Sequence, residues 1–458
     1  MIRLNILCLS SGCLLLSNML PAQQHGLSIK EAITLTASQQ PELKAQQEQA
    51  QAAAYNVNLA QNTLLPEVTA GYQAGYATYN NITGMSYPGS FLPISGPPSA
   101  GNSYDPVPGT VLSALLKWTP LTFGQRQAAI EKAAAQYKVA ANQYNDAVFR
   151  QQFAVISTYL DAVYLIRLMK SYQGSIERTR TGLNQSLVLA KEGLRPGIDT
   201  TQFQSSLAQA ETELLTLQSR YFEQVMALTR LTGLPDNPRE ILLTDTALIS
   251  RTPELPDTTG TLAAHPAFRL YESRKEASEA ALKEVQRAWR PKLDLWANAY
   301  ARGSGVAADG SVHKADGWSL TRNNYGAGIQ LSFPLLGFAQ INLQKKQYRS
   351  LLRADEARLD QVKLDLQKQK ETARFNYDQH LLIIQQSLVQ TQSAQFAFDG
   401  LKLSYASGLI DFTRLMQGQY ELLKAETSQA GAFLQIWRSL LDLSVANGNL
   451  NTFIDTLK

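Results

Sequence analysis

The chain has 458 residues, 17% of them charged and 44% hydrophobic, and its formal net charge is only +4. Lys and Arg are scattered among Asp and Glu, which leaves no basic face for nucleic acid, and the only two cysteines, Cys8 and Cys13, lie close to the N-terminus. That excludes a thiol nucleophile, a cysteine metal site and a disulfide from the body of the protein.

Residues 1–22 read as a secretory signal peptide, with Arg3 as its positive end, a mostly apolar Leu4–Leu20 stretch and Leu20-Pro21-Ala22 before the cut. Ser10-Ser11-Gly12-Cys13 departs from a lipidation box by a Ser where leucine is wanted. From Ser28 to Thr63 the composition predicts a helix, rich in Ala and Gln, with Ser28 and Glu31 at cap-and-box spacing. Pro66 ends it. Val68, Ala70, Tyr72, Ala74 and Tyr76 then alternate with Thr69, Gly71, Gln73 and Gly75, the period of a two-faced strand over 66–79. A loop dense in Gly, Pro, Ser and Asn covers 80–109. A second strand, 110–119, sets Leu112, Ala114, Leu116 and Trp118 on one face. A stretch without proline predicts a long helix over 124–191, where Tyr137, Ala141, Tyr144 and Val148, then Val155, Tyr159, Ala162 and Ile166, step at coiled-coil spacing. A helix over 199–232 follows. The segment from 235 to Pro256, with its Pro, Asp and Thr, reads as an equatorial belt outside the helices.

The second half echoes the first. Pro41 and Pro66 lie the same distance ahead of Pro266 and Pro291, and Thr119-Pro120-Leu121, Gly193-Leu194 and Gly233 answer Phe333-Pro334-Leu335, Gly408-Leu409 and Gly448 in order. Ordered landmarks of this kind predict an internal duplication, residues 23–245 and 246–458. The second copy should hold a helix over 262–289, strands over 291–302 and 323–333 around a loop at 303–322, a long helix over 338–407 and a shorter one over 411–447. Leu293, Leu295, Ala297, Ala299 and Ala301 form one face of its first strand, opposite Asp294, Asn298 and Arg302. In its second strand Tyr325, Ala327, Ile329, Leu331 and Phe333 face away from Gly326, Gly328, Gln330 and Ser332. Leu352, Leu359, Leu366 and Ala373 give its long helix a heptad seam.

No apolar run of about 18 residues follows the signal, so no membrane-spanning helix is expected. The strands, with one greasy face and Tyr72, Tyr76, Trp118, Trp296, Tyr325 and Phe333 as candidate membrane-interface aromatics, fit a transmembrane barrel instead. Four strands cannot close, since a cylinder needs about eight, whereas three chains would leave a lumen. A homotrimer is the simplest expectation. Each long helix should run about 100 Å at 1.5 Å per residue. The shorter ones, 199–232 with 262–289 and 28–63 with 411–447, cover the same distance end to end, which predicts a hollow bundle. A soluble periplasmic coiled-coil adaptor or scaffold remains the alternative, since it accounts for the seams but not for the two-faced strands. His25, His265, His313 and His380 are too dispersed for a metal site, and neither a phosphate loop nor a serine elbow occurs. The expectation is a protein that is not an enzyme and uses no cofactor.

Gly193 and Gly408 each end a long helix, and Asp199 and Asp411 stand where the next helix needs an N-cap. With the duplicated Pro and Gly landmarks and the paired strands, these two Gly-Leu turns make nearly the whole mature chain resemble the TolC-type outer membrane efflux proteins. The resemblance implies a mainly α fold with a small β part: a twelve-stranded barrel, four strands from each chain of a trimer, continuous with a twelve-helix periplasmic tunnel. It also implies outer membrane lipid around the barrel of a Gram-negative cell, and hairpin tips that close the tunnel and meet a periplasmic adaptor (membrane fusion) protein. An inner-membrane pump of RND, ABC or MFS type would supply the energy. By position, Asp199 corresponds to the family's tip aspartate and Tyr405, in Tyr405-Ala406-Ser407-Gly408, to the tyrosine that bonds to it. A phenol donating to a carboxylate suits a breakable latch. Ile410 stands in place of an arginine, and Arg414 and Gln417 in place of a constricting aspartate ring, which speaks against an acidic, cation-selecting mouth.

Overall fold

Proline spacing sets the longest elements: α3 (Gln125–Lys191) and α6 (Phe338–Ala406) run 67 and 69 residues with no proline inside them. The computed structural model describes residues 25–78, 80, 101–194, 196–234, 241–255 and 261–457. The expected signal peptide, both cysteines, residues 81–100 of the first loop and residues 235–240 lie outside these. The remaining elements are β1 (His25–Leu27), α1 (Ile29–Gln39), α2 (Pro41–Asn62), β2 (Glu67–Ala77), β3 (Val107–Leu121), α4 (Ile198–Thr232), β4 (Ile241–Leu243), α5 (Pro266–Arg287), β5 (Lys292–Ser304), β6 (Arg322–Ser332), α7 (Phe412–Ala446) and α8 (Asn451–Asp455). Two units emerge. One takes the described parts of Met1–Ala45, Asp146–Pro266 and Leu364–Lys458, the other Gln46–Asn145 and Ala267–Lys363.

The second unit carries an antiparallel sheet in the order β2-β3-β5-β6. Its register aligns the greasy residues: Val68, Leu116, Ala297 and Ala327 form one cross-strand row, and Ala70, Ala114, Ala299 and Tyr325 the next. Partners directly opposite share a face, so all four strands present one apolar side. The other side holds Gln73, Ser113, Asn298, Arg302 and Gln330. β2 and β6 are the outer strands and have no strand partner on their far sides among the described residues. β3 starts at Val107, inside the stretch expected to be loop, because Pro108 precedes the pairing with β5, which begins at Gly109, and so costs that ladder no donor. At Pro120 the register with β5 shifts, between Trp118 and Leu121. The loop between β5 and β6 folds back on the sheet. Thr110 donates to the Gly317 carbonyl at 2.9 Å, and Trp318 meets Tyr76 edge-on with 5.4 Å between ring centroids.

In the first unit the core gathers Val155, Ile156, Tyr159 and Leu160 of α3, Val225 and Leu228 of α4, and Ile436, Trp437 and Leu440 of α7. The seam Val155, Tyr159 and Ala162 is fully buried, and Leu366 and Ala373 of the α6 heptad are buried as well. Tyr159 donates its hydroxyl to Leu27 O at 2.8 Å and accepts from the Asp245 amide at 3.2 Å; burial pushes its pKa up to about 12.

Four expectations need correction. The helix over 28–63 is two helices, because Pro41 lacks the N–H that would continue the ladder and Gln40 is extended (φ −64°, ψ 117°). The helix over 262–289 likewise starts only at Pro266, after an extended His265. The segment read as an outer belt packs inward where it is described: β4 pairs with β1, Leu248 and Ile249 are buried, and Trp437 Nε1 donates to Leu248 O at 2.7 Å. The short helices also pair differently. The end of α7 meets the residue before α5, with His265 Nε2 3.0 Å from Val445 O, and Gly233, at the end of α4, abuts Gln39, just before α2.

Candidate functional site

The ends of the two long helices carry the predicted tip residues, and all of them lie in the first unit. Gly193 (φ +68°) and Gly408 (φ +75°) both adopt the left-handed conformation. Leu194 N–H then reaches Leu189 O and Leu409 N–H reaches Ser404 O, each at 2.9 Å, so both turns close with the same Schellman bond. Asp411 is the N-cap of α7, accepting from the Arg414 amide at 2.9 Å.

Asp199 is no cap. Gly197 holds that position in α4, and Asp199 lies one residue into the first turn, where a carboxylate is favoured by the helix dipole. Its side chain turns inward instead. Only 8% of it is exposed, and it accepts from the Tyr405 hydroxyl at 3.1 Å. The two residues are 206 apart in sequence and join the start of α4 to the end of α6. Phe203, one helical turn beyond Asp199, packs its ring against Tyr405 (6.3 Å) and Phe412 (4.6 Å), both edge-on. Gly182 of α3 makes room for it, since a Cβ there would collide with the Phe203 ring. Gly182→Ala is expected to destabilise the hairpin by about 1–3 kcal/mol through overpacking, and Phe203→Leu in the same protein to recover most of that. Thermal melts would show it; an unshifted Gly182→Ala midpoint would refute the close packing.

Further along the hairpins, Arg178 of α3 forks onto Glu426 of α7 with bonds of 3.1 and 3.2 Å. Gln419 of α7, 5% exposed, donates to Thr179 Oγ1 at 2.5 Å and to Ser175 O at 3.3 Å. Sequence reasoning missed these contacts. One signal was there: Leu415, Gln419 and Leu422 share helical spacing, and an amide inside an apolar seam asks for a buried partner. Arg414 and Gln417 sit on the exposed start of α7, 3.4 Å apart, and do not reach Asp199.

Of the sheet aromatics, Tyr72, Tyr76, Trp118 and Tyr325 lie on the apolar face, and Phe333 follows directly after β6. Trp296 does not belong with them. It pairs with Lys117 and Gly328, on the side of Asp294 and Asn298, and its indole covers Gly328, where a Cβ would be 2.7 Å away. Among the described residues no three His, Cys, Asp or Glu side chains gather as a metal site, and no helix is long and apolar enough to cross a membrane.

Residues 32–234 match the family model described as Outer membrane efflux protein. Through that stretch the chain is similar to outer membrane efflux proteins. Solved outer membrane channels share the fold of this chain. The Campylobacter jejuni CmeC outer membrane channel superposes with a TM-score of 0.75 at 12% identity, covering 92% of this chain and 85% of that one. The Vibrio cholerae outer membrane protein VceC gives 0.72 at 15%, covering 92% and 96%, and the open state of the Neisseria gonorrhoeae MtrE outer membrane channel 0.69 at 13%, covering 92% and 89%. At such identities the likeness is one of fold. A sequence comparison with curated proteins finds no match.

Proposed function

We propose that three copies of this chain form an outer-membrane exit duct, a passive conduit for substrates handed over by a periplasmic adaptor and an inner-membrane pump of RND, ABC or MFS type. The observation that supports it best is the sheet: four strands, one apolar face and two outer strands left without partners among the described residues. Such edges invite pairing with another chain, and about twelve strands would close around a lumen where four cannot. Exposed apolar side chains on α6, among them Phe375 (63%), Phe396 (84%) and Leu403 (71%), also suit a neighbour. Tyr72, Tyr76, Trp118, Tyr325 and Phe333 then face outer membrane lipid, and Trp296 the lumen.

In this reading the turns at Gly193 and Gly408 are the periplasmic tips. The bond from Tyr405 to Asp199 holds them shut, and Asp411, Arg414 and Gln417 stand at the mouth. The duct performs no chemistry of its own and needs no cofactor. Fractionation tests the proposal directly: the protein should stay in the outer membrane until detergent is added and then run as a trimer in native mass spectrometry. Release by buffer alone as a monomer would favour the periplasmic adaptor and sink the duct.

A further inference from the structure

A cavity of about 200 Å³ lies within the first unit, walled by α3, α4, α6 and α7 beside the Asp199–Tyr405 bond. Its inner wall is aromatic: Phe203, Phe398 and Tyr405, all at least nine-tenths buried. Its rim is polar, with Lys402, Arg178 and Gln185 lining it beside Glu177. The charges there are not balanced. Glu177 is taken up by Arg180 at 3.1 Å and Arg178 by Glu426, whereas Lys402 has no carboxylate partner among the described residues. The Arg178 guanidinium also lies over Phe398, 5.9 Å from the ring centroid, and adds positive charge to the aromatic wall.

We propose that this cavity is a binding site for a small aromatic carboxylate of one ring. Size sets the ring count, because cavities for drug-sized ligands begin at roughly 300 Å³ and this one is smaller. The aromatic wall favours an offset or edge-on ring. The sign of the rim selects an anion, whose carboxylate meets the free ammonium of Lys402. A ligand seated there touches all four helices at once, so it also ties the two hairpins together.

Benzoate is the probe and saturation-transfer NMR on the full-length, detergent-solubilised protein the measurement. Saturable transfer to the ring protons is expected, with benzylamine, of the same size and opposite charge, giving none. Lys402→Gln should weaken benzoate at least tenfold, and Thr181→Trp, which fills the cavity from its exposed rim, should abolish binding. The proposal is overturned by absence of saturable transfer, by equal binding of benzylamine, or by an unchanged affinity in Lys402→Gln. Tyr405→Phe keeps the aromatic wall and removes the hydroxyl that bonds Asp199. Binding should persist in that variant, so the cavity is judged separately from any gating by the Asp199 contact.

Discussion

Asp199→Ala together with Tyr405→Phe should raise single-channel conductance in planar bilayers. Tyr405→Phe removes one oxygen and leaves the ring in its edge-on contact with Phe203, while Asp199→Ala removes the buried carboxylate it was bonded to. A hydrogen bond to a charged group contributes about 1.5–3 kcal/mol. If closure depends on it, the open population should grow by roughly tenfold or more for each chain, at about 1.4 kcal/mol per factor of ten. Either single change should achieve most of the effect, because each breaks the same bond, and the two should therefore be strongly non-additive. Conductance unchanged in the double variant would remove this contact from any account of closure.

Glu426→Ala is expected to give the largest loss of stability among single changes at the hairpins. The side chain of Arg178 is 22% exposed and that of Glu426 20%, so the pair is mostly out of water. Removing one partner leaves a charge that water can only partly solvate, which costs about 2–3 kcal/mol, below the 3–5 kcal/mol of a fully buried pair. Replacing both, Arg178→Met with Glu426→Leu, should restore most of the lost midpoint in a thermal melt followed by helical circular dichroism, since an apolar pair of similar volume carries no desolvation cost. The pairing would be unimportant to the fold if the single variant melted with the parent.

Much of the sheet was legible beforehand, because a strand's sidedness is a matter of parity. Tyr72, Leu112 and Ala301 were each assigned to the apolar face of their own strand, and they form one cross-strand row. Trp296 has the parity of Asp294 and Asn298, a signal that grouping it with Tyr72 by residue type left unused. The turns were equally readable, as Gly193 and Gly408 need only their own backbone conformation and a bond within the same turn. At Pro41 the reading went wrong for a different reason. An Ala- and Gln-rich composition outweighed a single residue whose missing N–H breaks the ladder.

From the sequence alone came whatever depends on neighbours a few residues apart: the period of the strands, the proline-free length of α3 and α6, the glycine that ends each. Tertiary structure decided what joins residues hundreds of positions apart. The inward turn of Asp199 away from a cap position, the fork of Arg178 onto Glu426 and the inward course of Leu248 and Ile249 all belong to that second group; the bond of Tyr405 to Asp199 was implied beforehand only by the family resemblance. Capping and periodicity are satisfied inside one helix or strand whatever surrounds it. A buried carboxylate or guanidinium finds its partner only once the helices have packed, because burial is what makes leaving it unpaired costly.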